Sequence, residues 1–132
     1  MKRVTGLGGV FFKTKDPKKI KEWYGKHLGL PITEYGCSFE WIDPNNKEAK
    51  EPAQTAWSPF KEDTTYFQPS EKPFMFNYRV ENLTELLKVL KEEGVQIVGE
   101  AEDTPYGKFG WVLDPEGNKI ELWEPKDDGF ET

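Results

Sequence analysis

Cysteine, histidine and long apolar runs are scarce in this 132-residue chain. One cysteine, Cys37, excludes an internal disulfide. The single histidine, His27, stands among Trp23, Tyr24 and Leu28 at helical spacing, so we expect it to have no metal-binding role. No run approaches the roughly 18 apolar residues of a membrane-spanning helix, and no apolar N-terminal segment resembles a secretory signal. We therefore expect a cytoplasmic protein with no membrane partner.

Positive charge is also in short supply. The chain has 18 Lys and Arg against 24 Asp and Glu, for a net charge of −6. No basic cluster is free of interleaved acids, which argues against a nucleic-acid partner. Only 36% of the residues are hydrophobic, but 5 Trp, 5 Tyr and 9 Phe supply large side chains for a core. The length predicts one domain, residues 1–132.

One stretch of the sequence occurs twice. Residues 36–46 read GCSFEWIDPNN, and residues 107–118 read GKFGWVLDPEGN. The correspondence continues to Trp57 and Trp123, which lie 66 positions apart in the 132-residue chain. It indicates one structural unit written twice, with modules at about residues 1–66 and 67–132.

Each module is predicted to contain a strand, a helix and three further strands. The first helix begins at Pro17, after the cap Asp16, and ends at Gly29, whereas the second begins after the cap Asn82 and ends at Gly94. The predicted strands are 10–14, 30–35, 37–42, 53–57, 74–80 and 95–98, followed by a hairpin over 106–124. Residues 58–73 are predicted to be a long connection. The fold class is α+β, with two tandem βαβββ modules forming a curved eight-stranded sheet around a cup, the default site for a small ligand.

Two segments carry a family resemblance. Residues 10–30, VFFKTKDPKKIKEWYGKHLGL, and residues 114–125, DPEGNKIELWEP, resemble the opening strand and helix and the closing hairpin of the vicinal oxygen chelate superfamily. That superfamily groups glyoxalase I, extradiol dioxygenases and bleomycin-resistance proteins. The resemblance covers nearly the whole chain and implies the same glyoxalase-like fold.

The resemblance also implies where a divalent metal would be held. Catalytic members use one side chain from the opening strand and one from the closing strand of each module. Those positions carry Gly9, Thr55, Met75 and Glu121 here. Only Glu121 is a good ligand for a hard or borderline cation. We therefore expect neither a metal nor another cofactor, and this places the glyoxalase and dioxygenase reactions in doubt.

Strand alternation places several side chains on the same face as Glu121. The predicted ligand-binding residues are Phe11, Lys13, Trp57, Met75, Asn77, Arg79 and Trp123. Glu121 is the candidate catalytic residue, because a carboxylate on an inward face needs a partner or a proton. Alternatively, the two tryptophans are wedges between the sheets and the two cations are solvated rim residues.

Three functions remain open from the sequence. The first is a small-molecule binding protein that holds its ligand in an aromatic cup with Glu121. The second is a lyase, isomerase or oxygenase that uses Glu121 as a general base or in an atypical metal site. The third is a structural or regulatory domain without a ligand. We expect a homodimer, because the free sheet edges need covering; whether the modules pair within one chain or swap between two is left open.

Overall fold

The computed structural model describes residues 1–126, and all structural statements concern this range. The elements follow one another as β1 (Val4–Thr14), α1 (Pro17–Leu28), β2 (Cys37–Trp41), β3 (Ala53–Lys61), β4 (Phe74–Val80), α2 (Leu83–Glu92), β5 (Ile97–Thr104), β6 (Gly107–Leu113) and β7 (Lys119–Pro125). Neither helix is long and apolar enough to cross a bilayer. The predicted α+β class is confirmed.

The strands form one curved sheet in the order β2-β3-β1-β4-β7-β6-β5. At its centre β1 and β4 run antiparallel, and each has a parallel partner on its other side, β3 for β1 and β7 for β4. The two halves of the sheet therefore follow the same pairing scheme outward from the centre. Within the described range β2 and β5 are the edge strands, and the expected homodimer stays a prediction.

Both helices begin at the predicted caps. Asp16 Oδ1 accepts a hydrogen bond from Lys19 N at 3.1 Å, and Asn82 Oδ1 accepts one from Glu85 N at 3.1 Å. These bonds satisfy backbone N–H groups that have no partner within the helix. Gly29 adopts the left-handed conformation with φ 70°, which ends α1 where the sequence predicted.

The helices cover one face of the sheet. Leu83 and Leu86 of α2 pack with Val80, Val112 and Leu122 in a buried cluster. Burying such side chains contributes about 1.5 to 3 kcal/mol each, so this cluster is a main source of stability. Because side chains alternate along a strand, the neighbours of these core residues point to the opposite face, where the cavity lies.

The predicted eighth strand, residues 30–35, is absent, and this prediction was wrong. The segment instead makes only an isolated bridge between Thr33 and Gly36. Pro31 cannot donate a backbone hydrogen bond, which disfavours a strand here. The structure therefore has seven strands within residues 1–126, and β5 runs on to Thr104 beyond the predicted end at 98.

A matching turn stands before β2 and before β6. Thr33 Oγ1 donates to the carbonyl oxygen of Gly36 at 3.1 Å, and Thr104 Oγ1 donates to that of Gly107 at 2.8 Å. Both glycines have positive φ angles, 129° and 122° respectively. The sequence repeat is thus visible as a repeated local geometry, while the division into modules near residue 66 stays a prediction.

The turn at Gly107 generates a stability prediction. A Cβ there would lie 2.2 Å from the carbonyl oxygen of Glu124, whereas a Cβ at Gly94, also at positive φ, would meet nothing within 4 Å. We expect Gly107→Ala to lower the free energy of unfolding by about 3 kcal/mol through strain and backbone displacement. Gly94→Ala should cost only about 1 kcal/mol, the conformational term alone. Denaturant unfolding measures both, and equal losses would contradict the clash at residue 107.

Candidate ligand-binding site

A cavity of about 440 Å³ opens on the sheet face opposite the helices. Its walls come from six strands and from the connections that follow β3 and β5. The lining residues are Gly8, Phe11, Ser38, Gln54, Ala56, Ser58, Phe60, Tyr66, Asn77, Tyr106, Phe109, Glu121 and Trp123. Aromatic rings dominate this set, and the volume lies within the range of about 300 to 1,000 Å³ typical of small-molecule sites.

Glu121 lies at the floor of the cavity and is only 2% exposed. Asn77 Nδ2 donates to its Oε1 at 2.7 Å, and Trp111 Nε1 donates to its Oε2 at 2.8 Å. The Tyr66 hydroxyl also donates to Oε2. A buried carboxylate is costly unless hydrogen bonds replace its hydration, and three donors do so here. Glu121 is therefore held in place by the protein itself.

The connection between β3 and β4 supplies part of the floor. Phe67 is completely buried and packs with Met75 and Trp111 beneath the cavity. Tyr66 stacks on Phe60, with ring centroids 5.8 Å apart and ring planes at 7°. The prediction that residues 58–73 form only a long connection missed this contribution. The available signal was an aromatic pair within an otherwise polar segment.

Burial and the Glu121 carboxylate both act on Tyr66. Burial, and then the nearby negative charge, raise the pKa of the Tyr66 hydroxyl well above its ordinary value. The phenol therefore keeps its proton and remains a donor to Glu121. Lys119 lies beside this pair and donates to the carbonyl oxygen of Tyr66 at 2.7 Å. Burial lowers the pKa of the Lys119 ammonium, and Glu121 opposes that effect.

The two polar atoms of the Asn77 amide differ in their hydrogen bonding. Its nitrogen donates to Glu121, whereas its Oδ1 is buried and has no hydrogen-bond partner within residues 1–126. A Cβ at Gly8 would lie 2.1 Å from this oxygen. The absence of a side chain at residue 8 is therefore what leaves room for Oδ1.

The other predicted site residues divide into two groups. Phe11, Asn77, Glu121 and Trp123 line the cavity, as their strand positions predicted. The remaining side chains lie outside its lining: Met75 is completely buried in the core below, and Lys13 Nζ lies 5.8 Å from the ring centroid of Phe67.

Arg79 also lies outside the cavity lining. It is 8% exposed, and its guanidinium lies 5.7 Å from the Trp41 ring and 5.3 Å from the Trp123 ring. Cation–π contact of this kind stabilises a partly desolvated guanidinium. Arg79 therefore packs between two indoles and does not line the cavity, so the alternative of a solvated rim residue also fails.

The predicted orientation of Trp57 was wrong. Its ring packs against Tyr24 of α1 at 4.8 Å and against Phe12 at 5.3 Å, on the helix face. Ala56 lines the cavity in its place. A one-residue error in alignment moves every side chain of a strand to the other face. The 66-residue period predicts that Phe11 pairs with Thr55, as Asn77 pairs with Glu121. Phe11 pairs instead with Ser58, and this odd offset turns Trp57 to the helix face.

The residues at the family's metal positions do not fit a divalent metal. Gly9 has no side chain, Met75 offers only a thioether, and the Thr55 hydroxyl donates to the carbonyl oxygen of Leu7 at 2.6 Å. Glu121 is surrounded by N–H and O–H groups, whose positive ends would repel a cation. Within residues 1–126 no three His, Cys, Asp or Glu side chains form a group that could hold a metal.

Tyr66 generates a prediction about pH. We expect Tyr66→Phe to lower the free energy of unfolding by about 1 to 2 kcal/mol at pH 7, because a hydrogen bond to a carboxylate is lost. In the wild type the folded-state pKa of Tyr66 is raised, so above the unfolded value of about 10 the unfolded chain loses a proton that the folded protein keeps. The wild type therefore loses stability as pH rises above that value. The difference in free energy of unfolding between the wild type and Tyr66→Phe should narrow.

Denaturant unfolding between pH 7 and pH 11 measures the difference in free energy of unfolding between the wild type and Tyr66→Phe. Tyr35→Phe is the matched control, because Tyr35 is 80% exposed. It should match the wild type at pH 7 and stay within about 0.5 kcal/mol of it at every pH. A wild-type advantage over Tyr66→Phe that stays constant or grows above pH 10 would contradict the raised pKa.

Comparison with known proteins places the fold in a family. The structure superposes on methylmalonyl-CoA epimerase from Mycobacterium tuberculosis with a TM-score of 0.63 at 22% identity, over 96% of this chain and 91% of that one. The Mn(II)-bound glyoxalase from Novosphingobium aromaticivorans gives 0.64 at 16% identity, over 94% and 40%. A methylmalonyl-CoA epimerase from Streptomyces coelicolor gives 0.67 at 11% identity, over 92% and 98%. Identities this low show the fold alone, and no curated protein sequence matches the chain. The family model that matches residues 6–122 settles the assignment: the chain belongs to the Glyoxalase/Bleomycin resistance protein/Dioxygenase superfamily.

Proposed function

We propose that the protein binds a small aromatic molecule in the cavity above Glu121 and does so without a divalent metal. One observation carries the proposal. The cavity has mainly aromatic walls, and Glu121, the one carboxylate among its lining residues within 1–126, has both oxygens engaged by protein donors. Such a site offers apolar contact area and no open cation-binding group.

Two stacked ring pairs support an aromatic ligand. Phe109 and Trp123 lie 5.9 Å apart with planes at 6°, and Phe60 and Tyr66 form the second pair. Each pair is already ordered by its own packing, so a ligand that contacts it loses little additional side-chain entropy from the protein. Trp123 is fixed further, because its Nε1 donates to the carbonyl oxygen of Tyr106 at 2.9 Å. Preformed aromatic surfaces favour flat ligands.

The role of Glu121 follows from its contacts. A general base needs a free lone pair within hydrogen-bond reach of a substrate proton. Three of the roughly four lone-pair sites of the carboxylate are filled, by Tyr66 and Trp111 at Oε2 and by Asn77 at Oε1. The residue is only 2% exposed, so a substrate proton has little access to the fourth site. We assign Glu121 the role of supporting Asn77 and the cavity floor, and this favours binding over the lyase, isomerase or oxygenase reactions that the family resemblance implies.

Fluorescence titration with N-phenyl-1-naphthylamine, a neutral aromatic probe, tests the proposal. We expect saturable binding whose dissociation constant is the same in EDTA and in added Mg²⁺, Mn²⁺ or Zn²⁺. Phe109→Leu keeps an apolar side chain but removes a ring, so it should weaken binding about threefold to tenfold. Binding that depends on a divalent ion would contradict the proposal.

Phe76→Leu is the matched control. Phe76 is 40% exposed and pairs in register with Ile120, which packs against the α2 core on the other face of the sheet. The same chemical change there should leave the dissociation constant within about twofold of wild type. Equal weakening by Phe76→Leu would place the probe outside the cavity and contradict the proposed site.

A further inference from the structure

The open amide oxygen of Asn77 defines one chemical requirement of the ligand. Asn77 is 2% exposed, and within residues 1–126 its Oδ1 has no partner. Its orientation is not arbitrary, because the amide nitrogen donates to Glu121 Oε1 at 2.7 Å. An ionised carboxylate only accepts hydrogen bonds, so the nitrogen must face Glu121 and the oxygen must face away.

The backbone of β1 leaves the space that this buried oxygen occupies. Gly8 lines the cavity, and any Cβ there would lie 2.1 Å from Asn77 Oδ1. Gly8 also stands at the register shift between Leu7 and Gly9, where β1 departs from regular pairing with β4. Shifts of this kind redirect side chains and are frequent beside binding sites. The result is an unpaired acceptor at the floor of an aromatic cavity.

The surrounding charges disfavour an anionic ligand at this point. Glu121 lies directly behind the amide, and the cations nearby have other contacts. Lys119 donates to the carbonyl oxygen of Tyr66, and Arg79 packs between Trp41 and Trp123. A group that reaches Oδ1 must therefore donate a hydrogen bond and need not be charged.

We infer that the ligand is a flat aromatic heterocycle whose ring edge carries an N–H group that donates to Asn77 Oδ1. This inference rests on the proposed function and adds to it the ligand class and the residue that selects it. The rings supply contact area for many flat molecules, whereas the amide oxygen distinguishes those with a donor. A donor adds a hydrogen bond to an acceptor that is already buried and unpaired in the free protein, so a ring without a donor should bind less tightly.

Two probes of nearly equal shape test the inference. Indole carries a ring N–H, and benzofuran has an oxygen at the same place. Their dissociation constants are measured by saturation-transfer NMR on the wild type. We expect indole to bind about tenfold more tightly, the order of effect of one hydrogen bond to a buried acceptor.

Two variants locate the discrimination. Asn77→Ala removes the acceptor, and Gly8→Ala places a methyl group against it; in either the preference for indole should fall to about twofold or less. Gln54→Ala is the matched control, because it removes another amide from the cavity lining and should keep the preference. The readout is a ratio within one protein, so a loss of stability that weakens both probes does not affect it.

The outcomes separate this inference from the proposed function. Equal binding of indole and benzofuran to the wild type would overturn the inference and leave aromatic binding intact. A preference for indole that survives in Asn77→Ala would also overturn the role of Asn77. If neither probe binds the wild type, both the inference and the proposed function fail.

Discussion

The buried carboxylate of Glu121 is the constraint on which the site depends. It is 2% exposed, so the hydrogen bonds that water would supply must come from the protein. The donors come from three different places in the chain: Asn77 on β4, Trp111 on β6 and Tyr66 in the connection after β3. One charged group on β7 therefore fixes two neighbouring parts of the sheet and the segment that closes the floor.

This arrangement also supports the proposal that the protein works without a divalent metal. A metal-binding carboxylate needs further ligands around the ion, and Gly9 and Met75 do not supply them. Here the Glu121 carboxylate accepts hydrogen bonds from uncharged donors, and the segment that carries Tyr66 and Phe67 packs around it. What remains above is an aromatic cavity with one open amide acceptor, and on this we base the proposal of a binding protein.

The sequence predicted those features that depend on local chemistry. Asp16 and Asn82 cap the helices because short polar side chains can accept from the first turn. The inward position of Glu121 followed from the family resemblance, and alternation along the strands placed Phe11, Asn77 and Trp123 on the same face. The curved sheet and the helix on one face of each half followed from the repeat.

Features that depend on tertiary contacts could not be predicted in the same way. The pairing of β3 with β1 departs from the 66-residue period by an odd number of residues, and this put Trp57 on the wrong face in the prediction. The strand predicted at 30–35 is absent, and Pro31 disfavours it because proline cannot donate a backbone hydrogen bond. The contribution of Tyr66 arises only when its connection folds back over β7, at a distance of 55 residues along the chain. No local pattern encodes that contact.

The central claim is that donors, and not a metal, occupy the oxygens of Glu121. Nuclear magnetic resonance of the indole N–H groups tests it directly, since 5 tryptophans give few signals and Trp111→Phe identifies that of Trp111. The Trp111 N–H donates to Glu121 at 2.8 Å, so a paramagnetic ion bound there would broaden its signal first. We predict that equimolar Mn²⁺ leaves the Trp111 line as narrow as before. Selective broadening of that line at equimolar Mn²⁺ would show a metal at Glu121 and contradict the account.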